Sequence, residues 1–399
     1  MSARRLLKGS FLLLIAFGIF NLFNFIYQFA MARMLSVEDY GVLASLFSII
    51  YIFTIFSESI QTIVTKYVVL CENNIGKVRD LVMRSFKKSS RVALGVFFIY
   101  LIISLFIAFL LKIPYLLLVI NGGIVFLMFV LPITRGVMQG QRRFIALGGN
   151  LVLESLLKLV FSVLLILIGF GVYGAIGGFV IGGVVAFIFS IVPLKKMFMA
   201  KRENMKTQEI YNYAKPTIII TGIIVFFYSV DILIAKLLFS PEVAGSYALA
   251  SLLGKIVLWA SVPIGKAMFP LSAESNNGKD SKRLFFIALC MVLAIAIVLM
   301  IIFAIFADEM IFLFSGKSLP IAADILLYLG FAFSCIAISN LILLYKLSKG
   351  YVKKYSLLVF CNLLELAVLL FFSSTINVFA ILFAGLSAVL LVATIIITR

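Results

Sequence analysis

Ala32-Arg33-Met34-Leu35-Ser36-Val37-Glu38-Asp39-Tyr40-Gly41, followed by Val42-Leu43-Ala44-Ser45-Leu46, has a second copy near the middle of the chain. There the residues are Ala235-Lys236-Leu237-Leu238-Phe239-Ser240-Pro241-Glu242-Val243-Ala244-Gly245, followed by Ser246-Tyr247-Ala248-Leu249-Ala250-Ser251-Leu252. Both contain Ala-basic-x-Leu, then Ser-x-Glu-x-x-Gly, then Leu-Ala-Ser-Leu. The local physics is that of a helix start. Ser caps the incoming helix, Glu lies in its first turn at the positive end of the dipole, and Gly permits close packing. A recurring helix-start signal accounts for each block taken alone. The matching flanks, at the same place in each half, point to an internal duplication.

The surroundings of the two copies say what was duplicated. Apolar residues make up 64% of the 399, charged residues 13%, and mean hydropathy is +1.22. A soluble chain carries about a quarter charged residues. The apolar runs are continuous and about the 20 residues that one helical crossing of a bilayer needs. A barrel would show short alternating segments instead. The first run is too long for a signal peptide and lacks a small-residue cleavage site. Spans are placed at 9–32, 42–65, 92–111, 115–138, 148–168, 172–194, 216–239, 244–269, 284–306, 321–345, 355–372 and 375–397. One copy of the repeat follows the first span and the other follows the seventh. Six spans per half is an even number, so the halves share one orientation, with a substrate path between them. The expectation is an all-α polytopic membrane protein of about twelve helices in two parallel six-helix lobes, 1–200 and 201–399.

Charge orients the chain. One set of connections comprises the N-terminus with Arg4, Arg5 and Lys8, then 66–91, 135–143, 195–215, 266–283, 346–354 and Arg399. The other set carries only Arg33, Lys112, Lys236 and Lys317, and Lys158 and Lys255 lie within spans; the remainder of the 34 Lys and Arg fall in the first set. Short loops rich in Lys and Arg stay cytoplasmic. Both termini are therefore expected inside, in a cytoplasmic (inner) membrane. The longest basic connections, 66–91 and 195–215, are read as continuing their flanking helices. The net charge of +18 follows from this topology. It does not point to nucleic acid, because the basic residues are scattered over short loops.

Enzymatic chemistry finds little support. Histidine is absent, which removes the commonest proton relay, metal ligand and general base together. Cys71, Cys290, Cys335 and Cys361 are widely separated and in no metal-ligand spacing. No Gly-rich phosphate loop or nucleophile elbow is present. No catalytic residue, cofactor or metal site is expected, and energy for transport would come from an ion gradient, the membrane potential or the substrate gradient.

Ionisable groups at bilayer depth usually face a bundle interior or a water-filled cavity. Six qualify: Glu58, Glu154, Lys158, Asp231, Lys255 and Glu365. Several extend into stripes at helical spacing: Asn21, Asn24 and Gln28; Thr54, Glu58, Gln61 and Thr65; Asn150, Glu154, Lys158 and Ser162; Thr217, Thr221, Tyr228 and Asp231; Ser251, Lys255 and Trp259. Polar faces on spans 1, 2, 7 and 8 suit a cavity between two halves. Glu154 and Lys158 read equally as a structural i, i+4 ion pair, since Glu before Lys is the favoured order. Asp231 reads as functional or as a partner of Lys255. Lys66 and Lys266, near the cytoplasmic ends, either snorkel to headgroups or line a cytoplasmic entrance. Glu365 is read as peripheral. Gly174, Gly178 and Gly182 form a small-residue packing face on span six. Pro132 and Pro263 lie inside spans four and eight, where they bend helices.

The stretch Arg135-Gly136-Val137-Met138-Gln139-Gly140-Gln141-Arg142-Arg143-Phe144, leading to Leu153-Glu154-Ser155 and Lys158-Leu159-Val160, resembles the polysaccharide-biosynthesis flippases. These belong to the multidrug/oligosaccharidyl-lipid/polysaccharide (MOP) exporter superfamily, which also holds the MATE-like exporters. Asp231, Gly245-Ser246-Tyr247-Ala248 and Met268-Phe269-Pro270 carry the same resemblance, as does the segment from Ala32 to Gly41. The resemblance implies two six-helix lobes that alternate between inward-open and outward-open states. Its implied cargo is a lipid-linked oligosaccharide. Under it, Lys158 and Lys255 would attract a pyrophosphate, with Lys66 and Lys266 at the cytoplasmic entrance. Asn21, Asn24, Gln28 and Trp259 would meet sugar. Glu58, Gln61, Glu154 and Asp231 complete the cavity set, with a proton or sodium as candidate coupling ion. A glycan polymerase or glycosyltransferases of the same pathway are the implied protein partners. Three other readings compete: a cation-coupled multidrug exporter of the same superfamily, a membrane glycosyltransferase or polymerase, and a non-transporting scaffold. The short external loops, with only Asp308 and Glu309 nearby, weigh against the second, and the polar stripes weigh against the third.

Overall fold

The structure, a computed structural model, describes residues 3–71, 74–204, 215–274, 278–349 and 355–397. Of the basic residues used above for orientation, Lys206, Lys353, Lys354 and Arg399 lie outside the described residues. Among the described residues there are fourteen α-helices and no strand. They are α1 (Ala3–Met34), α2 (Val37–Leu70), α3 (Ile75–Leu111), α4 (Tyr115–Gly140), α5 (Phe144–Leu167), α6 (Gly171–Ile191), α7 (Lys195–Met199), α8 (Lys215–Leu238), α9 (Pro241–Glu274), α10 (Gly278–Ile305), α11 (Ala307–Ser315), α12 (Pro320–Ser348), α13 (Ser356–Phe372) and α14 (Ile376–Ile397).

Eleven of these helices are long and apolar enough to cross a membrane, by length and composition. The expected twelfth, α13, has 17 residues, about 25 Å at 1.5 Å per residue, the low end of a spanning length. The basic stretch 75–91 does continue a span, as the start of α3. The stretch after α6 departs from expectation. Pro193 cannot donate into the α-helical ladder. The chain makes a 3-10 turn over Val192–Leu194, then the five-residue α7, then residues 201–204 without regular structure. Pro132 lies inside α4 and Pro263 inside α9, and neither ends its helix.

The chain divides into two compact units, 1–35 with 49–214, and 36–48 with 215–399. Thus α2 contributes its first turns to the second unit and the remainder to the first. In the first unit α5 packs on α6 and α1, and α4 on α3 and α6. In the second, α13 packs on α14 and α8, and α12 on α10 and α14. These are the same neighbours in the same chain order, which is what a duplicated six-helix unit produces.

Within the second unit the two copies of the repeat meet each other. A Cβ on Gly41 would lie 2.9 Å from the Gly245 Cα, and one on Gly245 would run into the Val37 carbonyl. Two glycines facing each other let the helix starts cross with backbone in contact, which any side chain would prevent. Ser36 Oγ accepts from the Asp39 N–H at 3.0 Å, so it caps α2 as its sequence position implied.

The first unit has an apolar core near the Lys- and Arg-rich end, built from Val64, Val68, Val78, Leu81, Val137, Leu151 and Met197. In contrast Phe98, Ile102, Phe106 and Phe109, at helical spacing on α3, are exposed. A helix apolar all round can show such a face to acyl chains without loss.

Candidate functional site

Buried polar groups gather within each unit. In the first unit the arrangement starts from the glycines of α6. A Cβ on Gly174 would sit 2.9 Å from Leu165, and one on Gly182 2.8 Å from Lys158; Gly178 faces Ser162 more closely still. The expected small-residue face therefore presses α6 against the backbone of α5. With that side closed by helix, the Lys158 ammonium donates to Asn24 Oδ1 on α1. It also lies over the rings of Phe179, 4.4 Å from the centroid, and Tyr27, 5.4 Å. Such cation–π contacts replace part of the hydration the ion has lost. Tyr27 in turn donates to the Ala175 carbonyl at 3.1 Å.

Glu154 gives its ion pair to Arg135 on α4, not to Lys158. Arg135 also donates from Nε to Asn150 Oδ1 at 2.8 Å, and Asn150 Nδ2 reaches the Ala186 carbonyl at 2.7 Å. Arg135 is thus part of a buried junction of α4, α5 and α6, and not a loop residue of the 135–143 connection. Gln61 on α2 donates to Gln139 Oε1 at 2.8 Å, and Gly136 and Gly140 face α2 at the same junction. The stretch from Arg135 to Gly140 therefore ties α4 to its neighbours.

The second unit holds the denser charge. Asp231 on α8 is fully buried. It accepts from Tyr247 Oη at 3.1 Å, Ser251 Oγ at 2.9 Å and Lys255 Nζ at 3.5 Å. These three donors stand four residues apart on α9, so one helical face delivers all of them. Lys255 also lies 5.4 Å from the Phe333 ring centroid. Glu365 on α13 is fully buried as well, within electrostatic reach of Asp231 and Lys255, and neither of its carboxylate oxygens has a hydrogen-bond partner among the described residues. The peripheral reading of Glu365 is therefore corrected: it belongs to this cluster. Its neighbour Asn362 donates to the Ile223 carbonyl at 3.2 Å and leaves its own carbonyl oxygen unpaired among the described residues.

The remaining expected residues are spread out. Gln28 hydrogen-bonds the Tyr51 hydroxyl. Asn21, Glu58, Lys66 and Lys266 are exposed, and Trp259 is half-buried. Tyr27 and Phe179 escaped the sequence reading, whereas Arg135, Gln139 and Tyr247 entered it only within the stretches that carry the family resemblance. Tyr247 had a signal, its four-residue spacing to Ser251. Phe179 had none, since an aromatic residue in an apolar span is indistinguishable from packing. Among the described residues no group of three or more His, Cys, Asp and Glu could hold a metal ion.

Residues 30–322 match the sequence model of a family described as "Polysaccharide biosynthesis protein". No curated protein sequence matches the chain. Solved structures share its fold at low identity. One is an inward-facing multidrug resistance MATE family transporter of the MOP superfamily, at 13% identity and TM-score 0.70, covering 94% of this chain and 92% of that one. Another is the lipid II flippase MurJ in an inward closed conformation, at 14% identity and TM-score 0.68, covering 97% and 86%. A eukaryotic MATE transporter is similar at 13% identity and TM-score 0.60, covering 96% of both chains. The helices, the repeated unit and a match over most of the chain lead to one conclusion: this membrane-spanning protein belongs to the polysaccharide biosynthesis protein family and has the fold of the MOP exporter superfamily.

Proposed function

We propose that this chain moves a lipid-linked oligosaccharide across the cytoplasmic membrane by alternating access, with both termini on the cytoplasmic side. The family match carries the reading. A multi-pass chain without a catalytic constellation contributes to polysaccharide synthesis most simply by transporting an intermediate. The fold it shares with a lipid II flippase supports the same class of cargo. A polyprenyl-linked glycan carries a charged phosphate and many hydroxyls, which need a hydrated polar path, while its tail can stay in lipid. The exposed Asn21, Glu58, Lys66 and Lys266 are groups such a cargo can reach. Lys158 and Lys255 are already held by Asn24 and Asp231, so contact with a pyrophosphate would require exchanging those partners.

A coupling ion has a proposed seat at Asp231 and Glu365, where two carboxylates face one ammonium and one proton or monovalent cation would balance the charge. That same feature favours the second reading, a cation-coupled exporter of small molecules.

Reconstitution in vesicles tests the proposal with a fluorescent polyprenyl-pyrophosphate oligosaccharide scored by an impermeant lectin. The native chain should expose the glycan on the far side, and Lys255→Ala, inserted normally, should slow this at least tenfold. Ethidium efflux with no glycan movement would replace the flippase by the exporter. Unchanged flipping by Lys255→Ala would remove that lysine from the mechanism.

A further inference from the structure

The segment after α6 is docked onto the start of α3 by contacts from several directions. Leu194 and Met197 are fully buried in the core beside Val78, Leu81 and Val82. Phe198 lies against Phe86 with ring centroids 6.5 Å apart. Asp80, fully buried on α3, accepts from Arg202 Nε at 2.5 Å and pairs with Arg84 at 2.9 Å. Arg79 donates to the Ala200 carbonyl and Arg84 to Asn204. Asn74 donates to Glu203 at 2.6 Å, and the Glu203 N–H bonds the Gly76 carbonyl at 3.2 Å. Residues more than a hundred positions apart are thereby held as one surface.

That surface has two features at once. Lys77, Lys87 and Lys88 from α3 and Lys195, Lys196 and Lys201 from the docked segment are all exposed. The two acids in the contact, Asp80 and Glu203, are both occupied by internal partners. Beside the lysines, Val192 and Met199 are exposed at 65% and 70%. Apolar side chains next to a row of lysines, directly after a spanning helix, suit the boundary between acyl chains and anionic headgroups. Clusters of about four to eight basic residues beside a span bind anionic lipid.

We infer that the docked segment 192–202 and the start of α3 form a binding surface for anionic phospholipid headgroups, assembled by the buried Asp80. This goes beyond the transport reading and does not depend on the cargo. Neither stretch alone makes it: α7 is five residues long, and α3 supplies Lys77, Lys87 and Lys88 without Lys195, Lys196 and Lys201 of the docked segment. The buried carboxylate is what brings them together.

The test uses the full chain with an environment-sensitive fluorophore at Met199→Cys in a Cys290→Ser background, since the other cysteines are buried. In vesicles of phosphatidylcholine with phosphatidylglycerol the emission should shift to shorter wavelength relative to phosphatidylcholine alone, and added salt should reduce the shift. Lys87→Gln/Lys88→Gln/Lys195→Gln/Lys196→Gln should abolish the difference, and Asp80→Asn should diminish it by freeing the segment. If Asp80→Asn does not fold, the lysine variant, which leaves the core untouched, decides. Equal emission from the native chain in both vesicles overturns the inference. So does a full lipid response in the lysine variant.

Discussion

Replacing Lys255 by Met removes one charge from the buried cluster while keeping a chain of similar length against Phe333. The ammonium sits 3.5 Å from Asp231 Oδ1, which at an effective dielectric of 20 corresponds to about 5 kcal/mol of attraction. In Lys255→Met, Asp231 keeps Tyr247 and Ser251 as donors but faces Glu365 with no cation between them. Breaking a buried pair by deleting one partner costs about 3–5 kcal/mol, and this loss of unfolding free energy is expected. Asp231→Asn should cost less, about 2 kcal/mol, because Glu365 remains to balance the lysine. The double variant Asp231→Asn/Lys255→Met should recover only part of the Lys255→Met loss, since a neutral amide replaces one of the two carboxylates while Glu365 stays buried without its cation. Unfolding by SDS titration in mixed micelles measures all four proteins. Helical circular dichroism reports the whole chain, and Trp259, its single tryptophan, reports from one turn beyond Lys255. A loss below about 1 kcal/mol for Lys255→Met, or a double variant no more stable than the single, would refute the charge balance argued here.

Two further outcomes rest on the first unit. Gly182→Ala places a methyl 2.8 Å from Lys158 and should destabilise by about 1–3 kcal/mol; Gly149→Ala, with nothing within 4 Å of its Cβ, should stabilise by up to about 1 kcal/mol in the same titration. Arg135→Met leaves Glu154 and Asn150 without their donor and should cost about 1–3 kcal/mol, and adding Glu154→Gln should recover most of that loss; equal stability of the single and double variants would show that the pair is not coupled.

The parts of the fold readable in the sequence are those governed by solvent. A bilayer demands long apolar helices, so the runs could be marked without knowing what they touch. The small-residue face on α6 was readable for a related reason: glycines every four residues have few uses other than close helix contact. The break after α6 needed the structure, although Pro193 hinted at it, because the docked segment owes its path to Asp80 and the apolar core of α3. Glu365 was misjudged on chain order. Its place late in the chain suggested the periphery, whereas α13 packs on α8 and brings it to Asp231.

By itself the sequence determined the solvent the chain lives in, the helical crossings, the charge asymmetry and the duplication, since each depends on local composition or on comparing the chain with itself. Only the tertiary structure decided partners. It gave Glu154 to Arg135 and not to Lys158, brought Glu365 within electrostatic reach of Asp231 and Lys255, and set the two copies of the repeated segment glycine to glycine. A charged group within a span advertises that it needs a partner. Which one it takes depends on helices far away in the chain, and that choice belongs to packing.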